Sequence, residues 1–285
     1  MIKTYEPLHH KYRPASFDEL VGQRPIASTL KQALISDRIS PAYIFSGPRG
    51  TGKTSSARIF AKSLNCLKSK KATTAPCGEC ELCKEINSGT ALDVIEIDAA
   101  SNTGVENIRE LIERSRFAPA KARWKVYVID ECHMLSTAAF NALLKTLEEP
   151  PPQVVFILAT TDPQRVLPTI LSRCMRFDFR RISMHDLENH LITIANKEGI
   201  VIDKKAILLI ARHSQGGLRD AESLLDQVSL LPQPINESNV INLIGAIPEE
   251  ELINLAKSLT KKDVNSILNT CNTLFNNGKE PISIL

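Results

Sequence analysis

Up to about Phe179, short apolar-rich runs alternate with longer stretches whose apolar positions recur every three or four residues. The short runs are Ala42–Phe45, Val94–Ile97, Val126–Ile129 and Val154–Ala159, with a briefer one over Arg176–Phe179. Their length and flanking turn residues predict strands. The periodic stretches predict helices over Pro25–Ile35, Thr54–Leu64, from near Val105, and over Thr137–Leu147. Pro150-Pro151-Pro152 stops the last of these. The first segment, Lys11–Gln23, has turn signals and little periodicity, and reads as a loop. From about Ile182 the strand-type runs vanish. Helical patterns over Met184–Glu198, Lys204–Ser214 and Leu218–Leu231 predict a small bundle. Further helical stretches follow Pro232 and Pro234, at Glu237–Ile244 and Glu249–Thr260. Too little chain remains after about 246 to close a third domain, so a fragment is expected.

The pattern places one glycine-rich turn between a strand and a helix. Gly47 to Thr54 fits G-x-x-x-x-G-K-[ST]. Gly47, Gly50 and Gly52 let the backbone turn its N–H groups toward an anion. Lys53 would set one positive charge on the β- and γ-phosphates, and Thr54 would offer a hydroxyl to Mg²⁺. The following helix aims its positive end at the same phosphates. A surface turn matching by chance would lack this strand and amphipathic helix. The strand over Lys125–Ile129 ends in Asp130-Glu131. After a phosphate loop, Asp130 is expected to help hold Mg²⁺ and Glu131 to polarise the attacking water. Without that loop they would be two ordinary acids. Thr160-Thr161, ending the next strand, could touch the γ-phosphate or the water. Arg219, near a helix start, could point back at the phosphates. Ser101 or Asn102 could cap the helix near Val105, whose N-terminus could also hold a nucleic-acid phosphate. Lys145 reads as a solvated lysine.

Cysteine changes the picture more than overall composition does. Four of the seven cysteines form Cys66-x10-Cys77-x2-Cys80-x2-Cys83. Four thiolates around Zn²⁺ make a closed structural site. An iron–sulfur cluster uses C-x2-C-x2-C too, but Lys84 follows Cys83 and no C-P element appears; unmetallated thiols are the third reading. Such a cluster suits a reducing compartment. Cys132, Cys174 and Cys271 read as small apolar fillers. Among the 285 residues, 43% are hydrophobic and 24% charged, ordinary for a globular protein. A net charge of +3 gives no overall case for nucleic acid, so any such contact must be local. No apolar run approaches a membrane span, and Met1–Pro7 has no apolar signal region. A cytoplasmic protein is expected.

Several runs then appear in a telling order. They are Tyr12-Arg13-Pro14, Phe17, Val21-Gly22-Gln23, Gly47–Thr54, the four cysteines, Asp130–Ser136, Asn141–Pro151, Ala159–Pro163, Ser172-Arg173-Cys174 and Gly217–Ala221. Together these resemble the AAA+ ATPases and, more narrowly, the gamma/tau family of bacterial clamp-loader ATPase subunits. The resemblance implies an α/β fold, an AAA+ P-loop core with a parallel five-stranded sheet flanked by helices. That core would cover 1–181, with a zinc-binding module at about 64–86. A helical lid would cover 182–245, and a helical collar would begin over 246–285. ATP, Mg²⁺ and Zn²⁺ are the implied cofactors. Nucleotide contacts fall on Arg13, Val21, Gly47, Pro48, Arg49, Gly50, Thr51, Gly52, Lys53, Thr54, Ser55 and Arg219, with Arg13 and Val21 near the adenine. Lys53, Asp130 and Glu131 match catalytic positions, Thr161 sensor 1 and Arg219 sensor 2. Arg173 matches the arginine finger that reaches a neighbouring subunit's nucleotide.

The implied partners are the other subunits of a hetero-pentamer, a ring-shaped sliding clamp and primer-template DNA, with no membrane. The implied function is ATP-driven loading of that clamp. Some members carry basic residues where this chain has Asn102 and Gly104, though Arg109 remains. Two rivals stand beside this reading. One is a partner subunit that binds nucleotide weakly and only donates Arg173, which a degenerate loop would favour. The other is a different AAA+ remodeller, such as a branch-migration motor or helicase loader, against which the zinc knuckle and Ser-Arg-Cys argue.

Overall fold

Successive strand residues point to opposite faces of a sheet, and the apolar runs supply both faces. The computed structural model describes residues 5–247 and 249–276. Five strands form one sheet: β1 (Ala42–Ser46), β2 (Val94–Asp98), β3 (Lys125–Asp130), β4 (Val154–Thr160) and β5 (Met175–Asp178). Every pairing is parallel and the order is β2-β3-β4-β1-β5. Tyr43, Phe45, Val128 and Ile157 face one core, shared with α2 (Arg24–Ile35) and α3 (Lys53–Asn65). Ile44, Tyr127, Ile129 and Leu158 face the other, covered by α5 (Val105–Ser115) and α6 (Thr137–Glu148). Burial on both faces is why β1, β3 and β4 read as nearly unbroken apolar runs, whereas the edge strands β2 and β5 expose Glu96, Asp98, Arg176 and Asp178. Tyr43, Phe45, Phe60, Phe177 and Phe179 form one aromatic cluster with ring centroids 5.0–6.4 Å apart in edge-on or tilted contacts.

Several short elements escaped the sequence pattern. The helix α1 (Leu8–Lys11) comes just before the expected loop over Lys11–Gln23, and a 3-10 turn at Phe17–Glu19 lies within it. The helix α4 (Glu81–Ser88) buries Leu82, Cys83 and Ile86. The expected capping of α5 needs correction. Its N-cap is Gly104, with no side-chain cap. Ser101 Oγ and Asn102 Nδ2 instead donate to Asp98, at Oδ2 (3.1 Å) and O (3.0 Å). The bend after β2 absorbs both polar side chains before the helix begins. Ser136 does cap α6, accepting from Ala139 N–H at 3.2 Å.

The chain divides into two compact units. The sheet unit runs to Leu187 and takes in Gln215–Asp220. Within it a short helix, α7 (Pro168–Leu171), precedes β5. Among the described residues, the regular structure of the second unit is helical apart from an Ile202–Ile235 bridge. Helices α8 (Met184–Glu198), α9 (Lys204–His213), α10 (Leu218–Val228) and α11 (Glu237–Ile244) bury Leu191, Ile207, Ile210, Leu225 and Val240. His190 Nε2 lies 2.8 Å from the buried Glu222 carboxylate. Helices α12 (Glu249–Lys261) and α13 (Val264–Asn276) follow, burying Leu255 and Leu274. Helix α13 was not read as a separate pattern, though it falls within the stretch where a helical collar was expected. The rest of the expected collar, 277–285, lies outside the described residues, as do Met1–Thr4. No helix among the described residues is long and apolar enough to cross a membrane.

One buried acid organises the entry to β3. Asp93 is 3% exposed and its carboxylate accepts three backbone N–H bonds, from Ala120 (2.8 Å), Lys121 (2.7 Å) and Ala122 (2.8 Å). Burial alone would raise its pKa. The three N–H groups and Lys125 win, and hold it below the ordinary carboxylate value. A depressed carboxylate pKa stabilises the fold above its unfolded-state value, and that contribution disappears as pH falls through the folded one. Asp93→Asn should therefore cost about 2 kcal/mol at pH 7. It should also flatten the loss of stability below about pH 4. Urea midpoints across pH 2–7 check both; equal acid sensitivity in the two proteins would refute the assignment.

Candidate functional site

Three neighbouring strands, β1, β4 and β3, end side by side, with Ser46 opposite Thr160 and Ile129 opposite Leu158. Parallel α/β sheets present their ligand-binding loops at such ends. The loop after β1 leaves the sheet at Gly47, whose N–H donates to Thr160 O at 3.2 Å. Gly47 has φ +146°, and a Cβ there would sit 2.3 Å from Phe179 O. Only glycine fits. Gly50 has φ +72°, and Leu218 N–H donates to its carbonyl at 2.9 Å. Thr51 Oγ1 closes the turn by donating to Pro48 O at 2.8 Å. Lys53 opens α3 and is 6% exposed, with Nζ donating to Gly47 O (2.7 Å) and Pro48 O (2.8 Å). Burial lowers its pKa, while Glu131 and Asp130 oppose the shift. The ammonium is therefore held inside the loop's own curve. The first N–H groups of α3, which lack intrahelical partners, open beside it.

Across the loop stand the acids. Thr54 Oγ1 donates to Asp130 Oδ2 at 2.7 Å, so the two expected Mg²⁺ ligands already touch. Burial raises the Asp130 pKa, partly offset by Thr54 and by the Glu131 N–H. Glu131 sits in the left-handed region at φ +46°, rare for a non-glycine residue. Its N–H donates to Asp130 Oδ1 at 2.9 Å, and its Oε2 accepts from Thr161 Oγ1 at 2.9 Å. Thr160 is fully buried beneath, its Oγ1 accepting from Asp162 N–H at 3.0 Å. Lys53, Thr54, Asp130, Glu131 and Thr161 thus share one mouth.

The remaining expected residues divide. Ser55 and Arg13 line a neighbouring cleft of about 520 Å³ with Arg58 and Lys62. Burial lowers the Arg13 pKa, and Arg58 and Arg219 push the same way against Glu96 and Asp130. The segment holding Val21 passes the loop, with Leu20 Cδ2 3.7 Å from a Cβ built on Gly52. Arg49 is exposed. Arg173 is not joined to the loop group. It donates to Thr169 O at 2.7 Å and pairs with Glu148 at the end of α6. Two residues missed from sequence are brought in. Arg181 lines a cleft of about 330 Å³ with Gly47, Pro48 and Thr161. His133, three residues after Asp130, places Nδ1 3.1 Å from Thr160 Oγ1. Its spacing, one turn past the strand end, was a readable signal.

The four cysteines come together as expected. Cys66 ends α3, Cys80 precedes α4 and Cys83 lies within it. All four sulfurs lie within 4.8 Å of one another. Tetrahedral Zn–S bonds of about 2.3 Å would set sulfurs about 3.8 Å apart, so a small contraction would close the set on one ion. Backbone N–H groups also point at sulfur: Cys77 N–H at Cys66 Sγ (3.4 Å) and Cys80 N–H at Cys77 Sγ (3.3 Å). The Cys80 N–H is the main reason the Cys77 thiol is held down at about 6. Burial pushes Cys83 up. Arg123 fixes the module's base, donating to Leu64 O and Cys66 O at 3.0 Å each, and to Ser69 O. Cys132 is fully buried, and burial raises the Cys174 thiol to about 12, so both suit the filler role.

Comparison with known proteins follows from this geometry. Residues 22–183 match the DNA polymerase III, delta subunit, family, and 186–231 match the DNA polymerase III clamp loader subunit, ATPase lid domain. The DNA polymerase III subunit gamma of Buchnera aphidicola is 44% identical over 283 residues, covering 99% of this chain and 78% of its own length. The chain belongs to the gamma/tau family of DNA polymerase III subunits. Its Bacillus subtilis relative, DNA polymerase III subunit tau, is 46% identical over 99% of this chain. The chain spans about half the length of that gamma/tau relative, 50%. Among solved structures, the Thermotoga maritima RuvB Holliday junction branch migration motor superposes with a TM-score of 0.62 at 19% identity. The match covers 87% of this chain and 79% of RuvB. That likeness carries the fold alone. The gamma/tau chain has the expected AAA+ architecture.

Proposed function

We propose that this chain is the ATP-driven motor subunit of the DNA polymerase III clamp loader. It binds and hydrolyses ATP to place a sliding clamp on primed DNA. The observation that carries the reading is the mouth where Lys53, the Thr54–Asp130 pair and the Thr161–Glu131 pair converge. Family membership supports it. A degenerate loop would favour a passive partner subunit, and none of these residues is degenerate. Residues 1–181 serve as the ATPase core, 182–245 as the lid and 246–285 as the opening of the collar.

The loop N–H groups and the start of α3 receive the phosphates, with Ser55 and Arg219 beside them and Arg13 and Val21 toward the base. Lys53 Nζ exchanges its carbonyl partners for phosphate oxygens. Thr54 and Asp130 hold Mg²⁺, whose chemistry is to neutralise charge on the β- and γ-phosphate oxygens. Glu131 orients a water and takes its proton. The water oxygen bonds to the γ-phosphorus as the bond to the bridging oxygen breaks, leaving ADP and phosphate. Arg173 acts on a neighbouring subunit's nucleotide, and its Glu148 partner keeps the side chain placed until then. The four cysteines hold Zn²⁺ in a closed structural role. The partners are other clamp-loader subunits, the clamp and primer-template DNA, and the setting is cytoplasmic.

Lys53→Ala should remove most ATP affinity, read with a fluorescent nucleotide. Glu131→Gln should keep binding, lose hydrolysis, and hold the clamp in a pull-down with ATP but not with ADP. Turnover of Glu131→Gln at the wild-type rate would overturn the reading.

Zinc analysis of unchelated protein should find one ion per chain. Cys80→Ser should release it and lower the melting temperature without altering ATP affinity. Metal-free fresh protein would reject the site.

An arginine finger is worth about 10³–10⁵ in rate in systems that use one. In the assembled loader, Arg173→Ala should leave ATP affinity intact and lower turnover. Mixing it with Lys53→Ala should restore part of the activity, because one interface then pairs an intact loop with an intact Arg173. Full activity of strictly monomeric protein would show that no such interface is needed.

A further inference from the structure

Resting on the reading above, we propose that His133 is a positioning residue for Glu131, holding its carboxylate in the orientation that receives the water's proton. His133 lies in a 3-10 turn, Cys132–Met134, that follows directly from Glu131. Its side chain is 11% exposed. Nδ1 sits 3.1 Å from Thr160 Oγ1 and 3.4 Å from Glu131 Oε2. Both neighbours are oxygens with lone pairs. A bare Nδ1 would set its own lone pair against the carboxylate. The Nδ1–H tautomer gives attraction instead, and a fixed tautomer is what a neighbouring hydrogen bond selects.

The consequence lies in which carboxylate oxygen is engaged. Thr161 Oγ1 donates to Oε2 at 2.9 Å, and His133 faces the same oxygen. Among the described residues no hydrogen bond reaches Oε1. One oxygen is therefore braced from two sides and the other left for the water. The brace is anchored below. Thr160 is fully buried in β4, and its Oγ1 is already fixed by Asp162 N–H at 3.0 Å. Glu131 itself has a strained backbone at φ +46°, a conformation that persists only where neighbours over-determine it. The imidazole thus ties the acid at the end of β3 to the end of β4.

The test measures ATP turnover, nucleotide affinity and melting temperature of the full-length protein in its assembly. His133→Ala should lower kcat about tenfold or more, since a carboxylate misplaced by a fraction of an ångström loses its alignment. ATP affinity should stay within about twofold of wild type and melting should change little. His133→Asn, whose amide N–H reaches close to the Nδ1 position, should recover most of the rate, whereas His133→Phe should not. On a Glu131→Gln background, His133→Ala should cost nothing further. In unaltered protein the imidazole ¹⁵N shifts should report an Nδ1-protonated ring. Wild-type kcat in His133→Ala, a parallel loss of ATP affinity, no recovery in His133→Asn, or an Nε2–H tautomer would each overturn the proposal. Wild-type turnover in Glu131→Gln would instead sink the function proposed above. An inactive Glu131→Gln beside a normal His133→Ala sinks only the role of His133.

Discussion

The register of three parallel strands is the constraint on which the site depends. Ser46 lies opposite Thr160, and Ile129 opposite Leu158. Sliding β4 by one residue would exchange Val155 and Ile157 with Phe156 and Leu158 between the two cores, and close packing does not tolerate such changes of volume and shape. With both faces buried, that slip is excluded by the cores themselves. Gly47, Asp130 and Thr160 therefore leave the sheet at one edge without any bond made for that purpose. The first loop N–H then completes the junction by donating to Thr160 O. Chemistry is assembled here as a by-product of hydrophobic register.

Rigidity of this kind permits local strain. A Cβ on Gly47 would strike Phe179 O at 2.3 Å, and Glu131 holds a left-handed backbone at φ +46°. Glycine relieves the first, while a left-handed non-glycine residue costs about 1–3 kcal/mol and occurs where surrounding structure outweighs it. The offsets are visible. Glu131 N–H reaches Asp130 Oδ1, Met134 N–H reaches Glu131 O at 2.9 Å, and Thr161 holds the carboxylate. The result is an acid turned off the end of its strand, where a regular extended residue would have carried it along the sheet.

What the sequence made legible follows from element length and spacing. The phosphate loop, the acids after β3 and the four cysteines are local patterns, so residue type and interval sufficed. Strands β1, β3 and β4 were readable because burial on both faces leaves almost no polar interruption, and the edge strands β2 and β5 because apolar residues alternate with Glu96, Asp98, Arg176 and Asp178. Helix α4 and the turns before Arg24 were not, because eight residues or fewer give too little periodicity to separate helix from loop. Ser101 and Asn102 misled for a different reason. Their side chains serve equally as caps or as turn formers, and Asp98 won the competition. Glu148 as the partner of Arg173, and Arg123 beneath the cysteines, were illegible in principle. Those contacts join positions separated by 25 and 57 residues.

Helix α3 finally explains why a cysteine module belongs beside a phosphate loop. Lys53 is its first residue, and Cys66 follows its last. Thirteen residues span about 20 Å, so whatever fixes one end fixes the direction in which the other end's N–H groups point. The far end is fixed several times over. Arg123 grips Leu64 O and Cys66 O, and Asn65 exchanges two hydrogen bonds with Trp124 at 2.8 and 3.0 Å. In the last turn of the helix, the buried Lys62 donates to Asn87 Oδ1 on α4 (2.9 Å) and to Ala15 O (3.0 Å), two residues after Arg13. Burial lowers the Lys62 pKa, with Cys83 and Glu19 opposing the shift. An ammonium so desolvated is tolerable only with its acceptors in place. The cysteine module, the phosphate-loop helix and the segment carrying Arg13 are thereby locked through one buried charge. Disorder in the cysteine module or in the segment carrying Arg13 would take one of the two acceptors from Lys62, and the aim of the loop would loosen with it.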